Sequence, residues 1–221
     1  MQIKQFKIRC SQIGQIMGIK GLGKTGETYL KDWLKSQIFN RQIEIKSKYL
    51  QKGNACEDWA IDFLADQFGI DLLKNEIHFE NDYFTGTPDL ITSDCIIDIK
   101  NSWDWPTFPY LDTENKNYDY ELQLQGYMNL TGIKKAKLIY FLSDTPDELI
   151  EKEAYYYCKS IGLLELDFDI FEKFKAKMTY SDIPDLKRYK VFEFEFNPIL
   201  INSIENRVLE SRKYLEQFKQ F

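Results

Sequence analysis

In the stretch GTPDLITSDCIIDIK, residues 86–100, two carboxylates and an amine fall at spacings that can do chemistry. If CIIDIK is a strand, alternation puts Asp98 and Lys100 on one face and Ile97 and Ile99 on the other. The polar pair is then aimed away from the buried side. Asp89, on the neighbouring strand, meets Asp98 across the intervening turn. Two carboxylates held that close repel each other unless a cation lies between them, and hard oxygen donors suit Mg²⁺ or Mn²⁺. Such an ion acidifies a water and stabilises the charge that builds on a phosphodiester under in-line attack. Lys100 would orient the attacking oxygen. The plain alternative for a bare D-x-K is a pair of charges on a solvated strand face.

Two further pairs bear on the choice. In KGNACEDWA, Gly53 lies one helical turn before Glu57, which puts a carboxylate beside a bare patch of backbone where a substrate strand can approach. In ELQLQGYMNL, Gln123 and Tyr127 are also one turn apart and offer an amide and a phenol able to position a phosphate or base. A separate segment, GIKGLGKT at residues 18–25, fits the phosphate-cradling pattern G-x-x-x-x-G-K-[ST]. That pattern needs a strand running into Gly18, whereas SQIGQIM reads as a helix N-capped by Ser11, and Gly26 falls where the gripping helix should begin. KLIYFLSD, ending at Asp144, is the corresponding candidate for a Walker B strand.

These residues need elements to hold them. After a short first strand, helices are predicted over SQIGQIM, ETYLKDWLKSQIF and about residues 48–68, where Cys56, Ala60, Phe63, Leu64 and Gln67 form a stripe. NEIHFEN, YFTGTPDLIT and CIIDIKNSW, separated by short polar turns, read as an antiparallel meander. Trp103 to Asn117 is an aperiodic loop of functional length. A helix through YDYELQLQGYMNLTG ends near Gly132, and KAKLIYFLS has the apolar character of a central strand buried on both faces. Residues 147–187 read as a helical insertion. YKVFEFEF is a strand, followed by a last helix on which Ile201, Ile204, Val208, Leu215 and Phe218 repeat. The expectation is a single α/β domain over residues 1–221, a mixed β-sheet flanked by helices.

Composition narrows the chemistry. One histidine, His78, in an apparent strand, makes histidine triads and His-rich zinc sites poor candidates, so proton and charge handling falls to carboxylates, lysine, tyrosine or metal ions. Cysteines at 10, 56, 95 and 158 are too scattered for a zinc ribbon or a disulfide framework and read as buried free thiols. The absence of an 18-residue apolar run argues against a membrane span, and the first residues lack a secretory core, so the expected location is cytoplasmic. A net charge of -6 gives no global attraction to nucleic acid, yet a local basic strip can still meet phosphate.

The order G-x-x-x-E, P-D, D-x-K, Q-x-x-x-Y resembles the PD-(D/E)xK nuclease superfamily, and within it the lambda-type (YqaJ-like) phage exonucleases, over about residues 9 to 142. The resemblance implies a restriction-endonuclease-like core and Mg²⁺-dependent hydrolysis of duplex DNA from its ends, 5′ to 3′, with Mn²⁺ as a substitute ion. It makes Glu57, Asp89 and Asp98 metal ligands together with the carbonyl of Ile99, makes Lys100 the catalytic lysine, and has Gln123 and Tyr127 organise the site. Ser11 in IRCSQIG is similar to a serine that contacts the 5′-phosphate, with Arg9, Lys20 and Lys24 as basic partners. Homotrimeric rings and a single-strand-annealing protein as partner belong to the same expectation, as does a phage-type recombination role in a bacterial host cell. Asp98 stands where many members carry Glu, which bears on metal geometry.

Trp103, Trp105 and Phe108 in SWDWPTFP either stack on bases or pack a lid onto the core. Besides the nuclease, two functions stay open at this point: a non-catalytic DNA-end-binding module of the same fold, and a P-loop ATPase through residues 18–25.

Overall fold

The computed structural model describes residues 4–44 and 47–218; residues 1–3, 45–46 and 219–221 of the expected 1–221 unit lie outside the described residues. Its strands form two mixed sheets rather than one. The first holds β1 (Ile8–Arg9), β2 (Phe79–Glu80) and β3 (Phe84–Gly86), with β3 between a parallel β1 and an antiparallel β2. The second runs in the order β4 (Leu90–Ile91), β5 (Ile96–Asn101), β6 (Lys135–Phe141), β7 (Tyr189–Glu195); only the β5–β6 pairing is parallel.

The meander expected from residues 75–103 is therefore not one sheet. YFTGTPDLIT breaks between Gly86 and Leu90, and its halves join different sheets. Pro88 is the physical reason, because it has no N–H to give a ladder. NEIHFEN likewise contributes only Phe79–Glu80 as strand. Near the start, a 3₁₀ turn at Cys10–Gln12 precedes a short α1 (Ile13–Ile16). Ser11 lies inside that turn with no side-chain cap, so it is not the N-cap that its position suggested.

Helix α2 (Gly23–Phe39) ends at Asn40 and α3 (Lys48–Phe68) at Gly69, both in the left-handed conformation that terminates helices. Helix α4 (Tyr118–Thr131) is capped by the Asn117 side chain, which accepts from the Asp119 N–H, and ends at Gly132 with φ +80°. The region 147–187 forms α5 (Asp147–Ser160), α6 (Phe168–Met178) and a 3₁₀ turn at Asp185–Lys187. The final helix, α7 (Pro198–Glu216), buries Ile201, Ile204, Val208 and Leu215 as the spacing requires.

β5 and β6 form the floor for the site, and both of their faces are covered. Ile97, Ile99 and Ile139 pack with Ala60, Ile61 and Leu64 of α3, whereas Ile96 and Leu138 pack with Leu122, Leu124 and Met128 of α4. Period-2 alternation then sends Asp98 to the α4 side, together with Ile96. It does not reach solvent: Asp98 is 1% exposed. A polar strand face met by a helix carrying amides and phenols reads in sequence like a face met by water.

Close approach of α4 depends on glycine. A Cβ on Gly126 would lie 2.7 Å from Cys10 Sγ and 2.9 Å from Ile13 Cδ1, and one on Gly86 would lie 2.7 Å from the ring of Tyr127. Gly126→Ala should therefore destabilise the fold by about 1–3 kcal/mol through overpacking, against alanine's better helix propensity. A urea melt checks this, and an unchanged or raised midpoint contradicts it.

Candidate active site

β5 supplies the centre of the site. Asp98 Oδ1 accepts a hydrogen bond from Gln123 Nε2 at 2.9 Å, and the same amide nitrogen stands 3.1 Å from Tyr127 Oη, one turn further along α4. The sequence pairing of Gln123 with Tyr127 is thus real, but both side chains are buried and serve Asp98. Asp98 Oδ2 is held by the Lys100 ammonium as an ion pair. The ammonium also lies 4.8 Å from the centre of the Tyr120 ring.

Asp89 immediately precedes β4, where backbone pairing with β5 stops at Leu90 and Ile97. Its Oδ2 takes over the ladder by accepting the Ile99 N–H at 2.7 Å. Burial raises the Asp89 carboxyl to about 7, the charge of Asp98 pushes it the same way, and Lys100 opposes both. For Lys100, burial pulls the pKa down, but Asp98 and Asp89 outweigh it, so the ammonium is held above its usual value and stays charged. Burial likewise raises the Tyr127 phenol, which stays neutral and can only donate or accept a hydrogen bond.

Glu57 comes from α3. Its Oε2 is 2.8 Å from Lys74 Nζ, an ion pair at the surface of the site. Gly53, one turn earlier, would have nothing within 4 Å of an added Cβ, so this backbone is as bare as its sequence position suggests. Glu57, Asp89, Ile99, Lys100 and Gln123 line one cleft of about 610 Å³, with Gly53, Tyr120, Tyr140, Asn101 and Ser11 on its walls. Asp98 and Tyr127 stand directly behind that lining.

Of the remaining sequence candidates, Trp103 lines the same cleft and the others do not. Arg9 is exposed on β1, and Lys20 and Lys24 are exposed around the start of α2; none of the three lines the cleft. Trp105 is exposed in a 3₁₀ turn at Trp105–Thr107, while Trp103 and Phe108 are buried. The loop at residues 18–25 lacks the context of a nucleotide cradle. A helix, α1, precedes it instead of a strand, and the Gly18 carbonyl accepts from Arg207 Nη2 at 3.1 Å. Asp144, the Walker B candidate, is engaged by Arg188 and by the Tyr180 N–H. His78 is exposed, with its ring nitrogens 3.0 Å and 2.6 Å from Thr87 and Thr85 hydroxyls, and the four cysteines are buried and free.

Two contributors escaped the sequence reading. Tyr120 carried a usable signal, because it lies three residues before Gln123 on the same face of α4. Lys74 carried none, since it sits in an aperiodic stretch between α3 and β2.

Among the described residues, no group of three His, Cys, Asp or Glu side chains stands close enough to hold a metal ion by itself. The donor chemistry nevertheless suits a hard divalent cation. Asp89 is pushed toward protonation by burial and by the like charge of Asp98 beside it, and a cation between the two carboxylates would relieve both. No helix among the described residues is long and apolar enough to cross a membrane.

No protein-family model matches this chain, and no curated protein matches it in sequence. Solved structures do match. The crystal structure of a phage-related exonuclease from Haemophilus somnus 129PT superposes with a TM-score of 0.78 at 26% identity, covering 97% of this chain and 96% of that one. The alkaline exonuclease LHK-Exo from Laribacter hongkongensis matches with a TM-score of 0.65 at 18% identity, covering 96% of this chain and 88% of that one. The same enzyme in complex with dAMP gives 0.66 at 18%, covering 97% and 92%. The likeness to LHK-Exo concerns the fold alone. The architecture is the mixed α/β, restriction-endonuclease-like fold that the sequence resemblance implied.

The raised Asp89 carboxyl has a direct consequence for stability. A group whose folded pKa lies above its unfolded value of 3.8 contributes stability that is complete below that value and is lost as pH rises through about 7. Asp89→Asn keeps an acceptor for the Ile99 N–H and removes the repulsion. In chelator-treated protein the variant should melt higher than wild type at pH 8, with the gap closing as pH falls toward 4. Parallel melting curves at every pH would contradict the assignment.

Proposed function

We propose that this chain is a DNA exonuclease that hydrolyses phosphodiester bonds at duplex ends with the help of Mg²⁺. The observation that carries the reading is the Asp98 assembly. A buried carboxylate is gripped by Gln123 and Lys100 at the wall of a cleft that also receives Asp89, Ile99 and Glu57. A near full-length likeness to a phage-related exonuclease supports it.

Asp89, Asp98 and the Ile99 carbonyl would hold the ion, with Glu57 joining them on leaving Lys74. When bound, the ion supplies an acidified water and charge stabilisation at the phosphate. The chain's own groups do the rest. Gln123, braced by Tyr127, fixes the Asp98 rotamer, so the carboxylate does not reorganise during the reaction. Lys100, two residues along the strand from Asp98, would present its positive charge to the oxygen that becomes negative. Ser11, which lines the cleft, would take the terminal 5′-phosphate, with Arg9 and Lys24 as more distant sources of positive potential. Digestion from 5′ to 3′, Mn²⁺ as a substitute ion, a homotrimeric assembly, a single-strand-annealing partner and a role in phage-type recombination within the bacterial cytoplasm complete the proposal.

The Glu57–Lys74 pair favours one second reading, a DNA-end-binding module whose metal site does not close. Linear and covalently closed duplexes incubated with Mg²⁺ separate the two. The exonuclease digests only the linear form, and Asp98→Ala or Lys100→Ala lowers the rate by about 100-fold or more. Wild type that binds ends without cutting in either Mg²⁺ or Mn²⁺ would establish the binding module instead.

Gly53→Ala gives an independent check on the approach of DNA. The added methyl meets nothing in the protein and improves helix propensity by up to about 1 kcal/mol. The variant should melt at or above the wild-type temperature while its digestion rate falls; an undiminished rate places the substrate elsewhere.

A further inference from the structure

Trp105 is unlike its neighbours. Its indole is 66% exposed, whereas Trp103, two residues before it, packs with Ile150 and Met178, and Phe108, three after, packs with Leu142 and Tyr180. Leaving the largest apolar side chain in water is unfavourable, and exposed loops are ordinarily mobile. This one is pinned. The Thr107 N–H donates to Asp104 Oδ1 at 3.1 Å and the Asp104 N–H to Thr107 Oγ1 at 3.2 Å, which closes a capping box around Trp105 and Pro106. Pro106 restricts its own backbone further. From below, the fully buried Lys52 donates its ammonium to the Trp103 carbonyl at 3.0 Å.

The turn also has a definite address. Trp103 and Thr107, which bracket Trp105, both line the cleft that holds Glu57, Asp89 and Lys100. A flat, uncharged ring held out on a rigid turn beside that cleft does not suit a phosphate, which takes charged or multiple N–H donors. It does suit the face of a nucleobase, since stacking needs only an exposed π-surface and tolerates any sequence. A base inside a duplex has both faces covered and the last pair of a blunt end exposes only its outer one, whereas an unpaired base in a tail is open to a stacking ring.

Resting on the nuclease reading above, we infer that Trp105 is a stacking platform for an unpaired nucleobase next to the phosphodiester seated in the cleft. Its preferred ligand is a DNA end that carries a single-stranded tail.

The test uses the full-length protein in EDTA, so that the DNA stays intact, with fluorescein-labelled hairpins read by anisotropy. One hairpin is blunt, one carries a short single-stranded tail, and one carries the same tail with abasic residues. Wild type should bind the tailed hairpin about tenfold more tightly than the blunt one, and the abasic tail should abolish that gain. Trp105→Ala should bind all three alike, with its melting temperature unchanged, and Trp105→Phe should keep part of the preference. The abasic tail probes the contact on wild-type protein, so the result does not depend on a variant that folds. The inference fails if wild type shows no gain from the tail, if the abasic tail is bound as tightly as the intact one, or if Trp105→Ala keeps the gain. It also fails if the variant's only change is a smaller sedimenting mass, which assigns the indole to contact between copies. Binding of blunt ends without any tail effect overturns the stacking platform alone; absence of binding to every hairpin, together with no digestion of linear duplex in Mg²⁺, overturns the nuclease reading with it.

Discussion

The arrangement of this molecule depends on housing one carboxylate, Asp98, beneath a helix. A buried charge is tolerated only with an opposite charge and directed hydrogen bonds, and each of these partners comes from an element placed for it. Lys100 is two residues along the same strand, so β5 alone sets the ion pair. Gln123 requires α4 to cross that face at close range, and the closeness in turn requires Gly126 and Gly86 where side chains would collide with Cys10 and Tyr127. The core around the first sheet is thus coupled to the polar centre of the second.

The same logic explains why the two acids of the cleft differ. Asp98 is fully enclosed and compensated, whereas Asp89 remains half-buried at the cleft and substitutes for a missing strand pairing by accepting the Ile99 N–H. One carboxylate is a fixed post and the other is held where it borders both backbone and open space. Glu57, from a different helix, is tied outward to Lys74.

Much of this was legible in the sequence, for identifiable reasons. β6 and α7 announce themselves by apolar run and helical period, and the one-turn spacings of Gly53 with Glu57 and Gln123 with Tyr127 survive folding because a helix fixes them. The burial of Asp98 was not legible. Alternation separates two faces of a strand but says nothing about what covers the second one. The division into two sheets had a signal in Pro88 that the apolar residues on either side obscured. The Glu57–Lys74 pair had none, because it is closed by a segment without periodicity. The 18–25 loop is the opposite case, a local pattern that the preceding α1 deprives of its meaning.

The pairing of acids with lysines bears on how the cleft would discriminate among ions if it holds one as proposed. Lys74 and Lys100 already act as internal counter-ions to Glu57 and Asp98, so the chain can assemble most of this region without folding around an external ligand. A cation entering on the reading proposed above would have to displace ammonium groups that are covalently tethered in place. A monovalent ion would offer no advantage over the group it replaces, whereas a small divalent one would. Selectivity of this kind would arise from competition in charge density, with no rigid cage of matched radius.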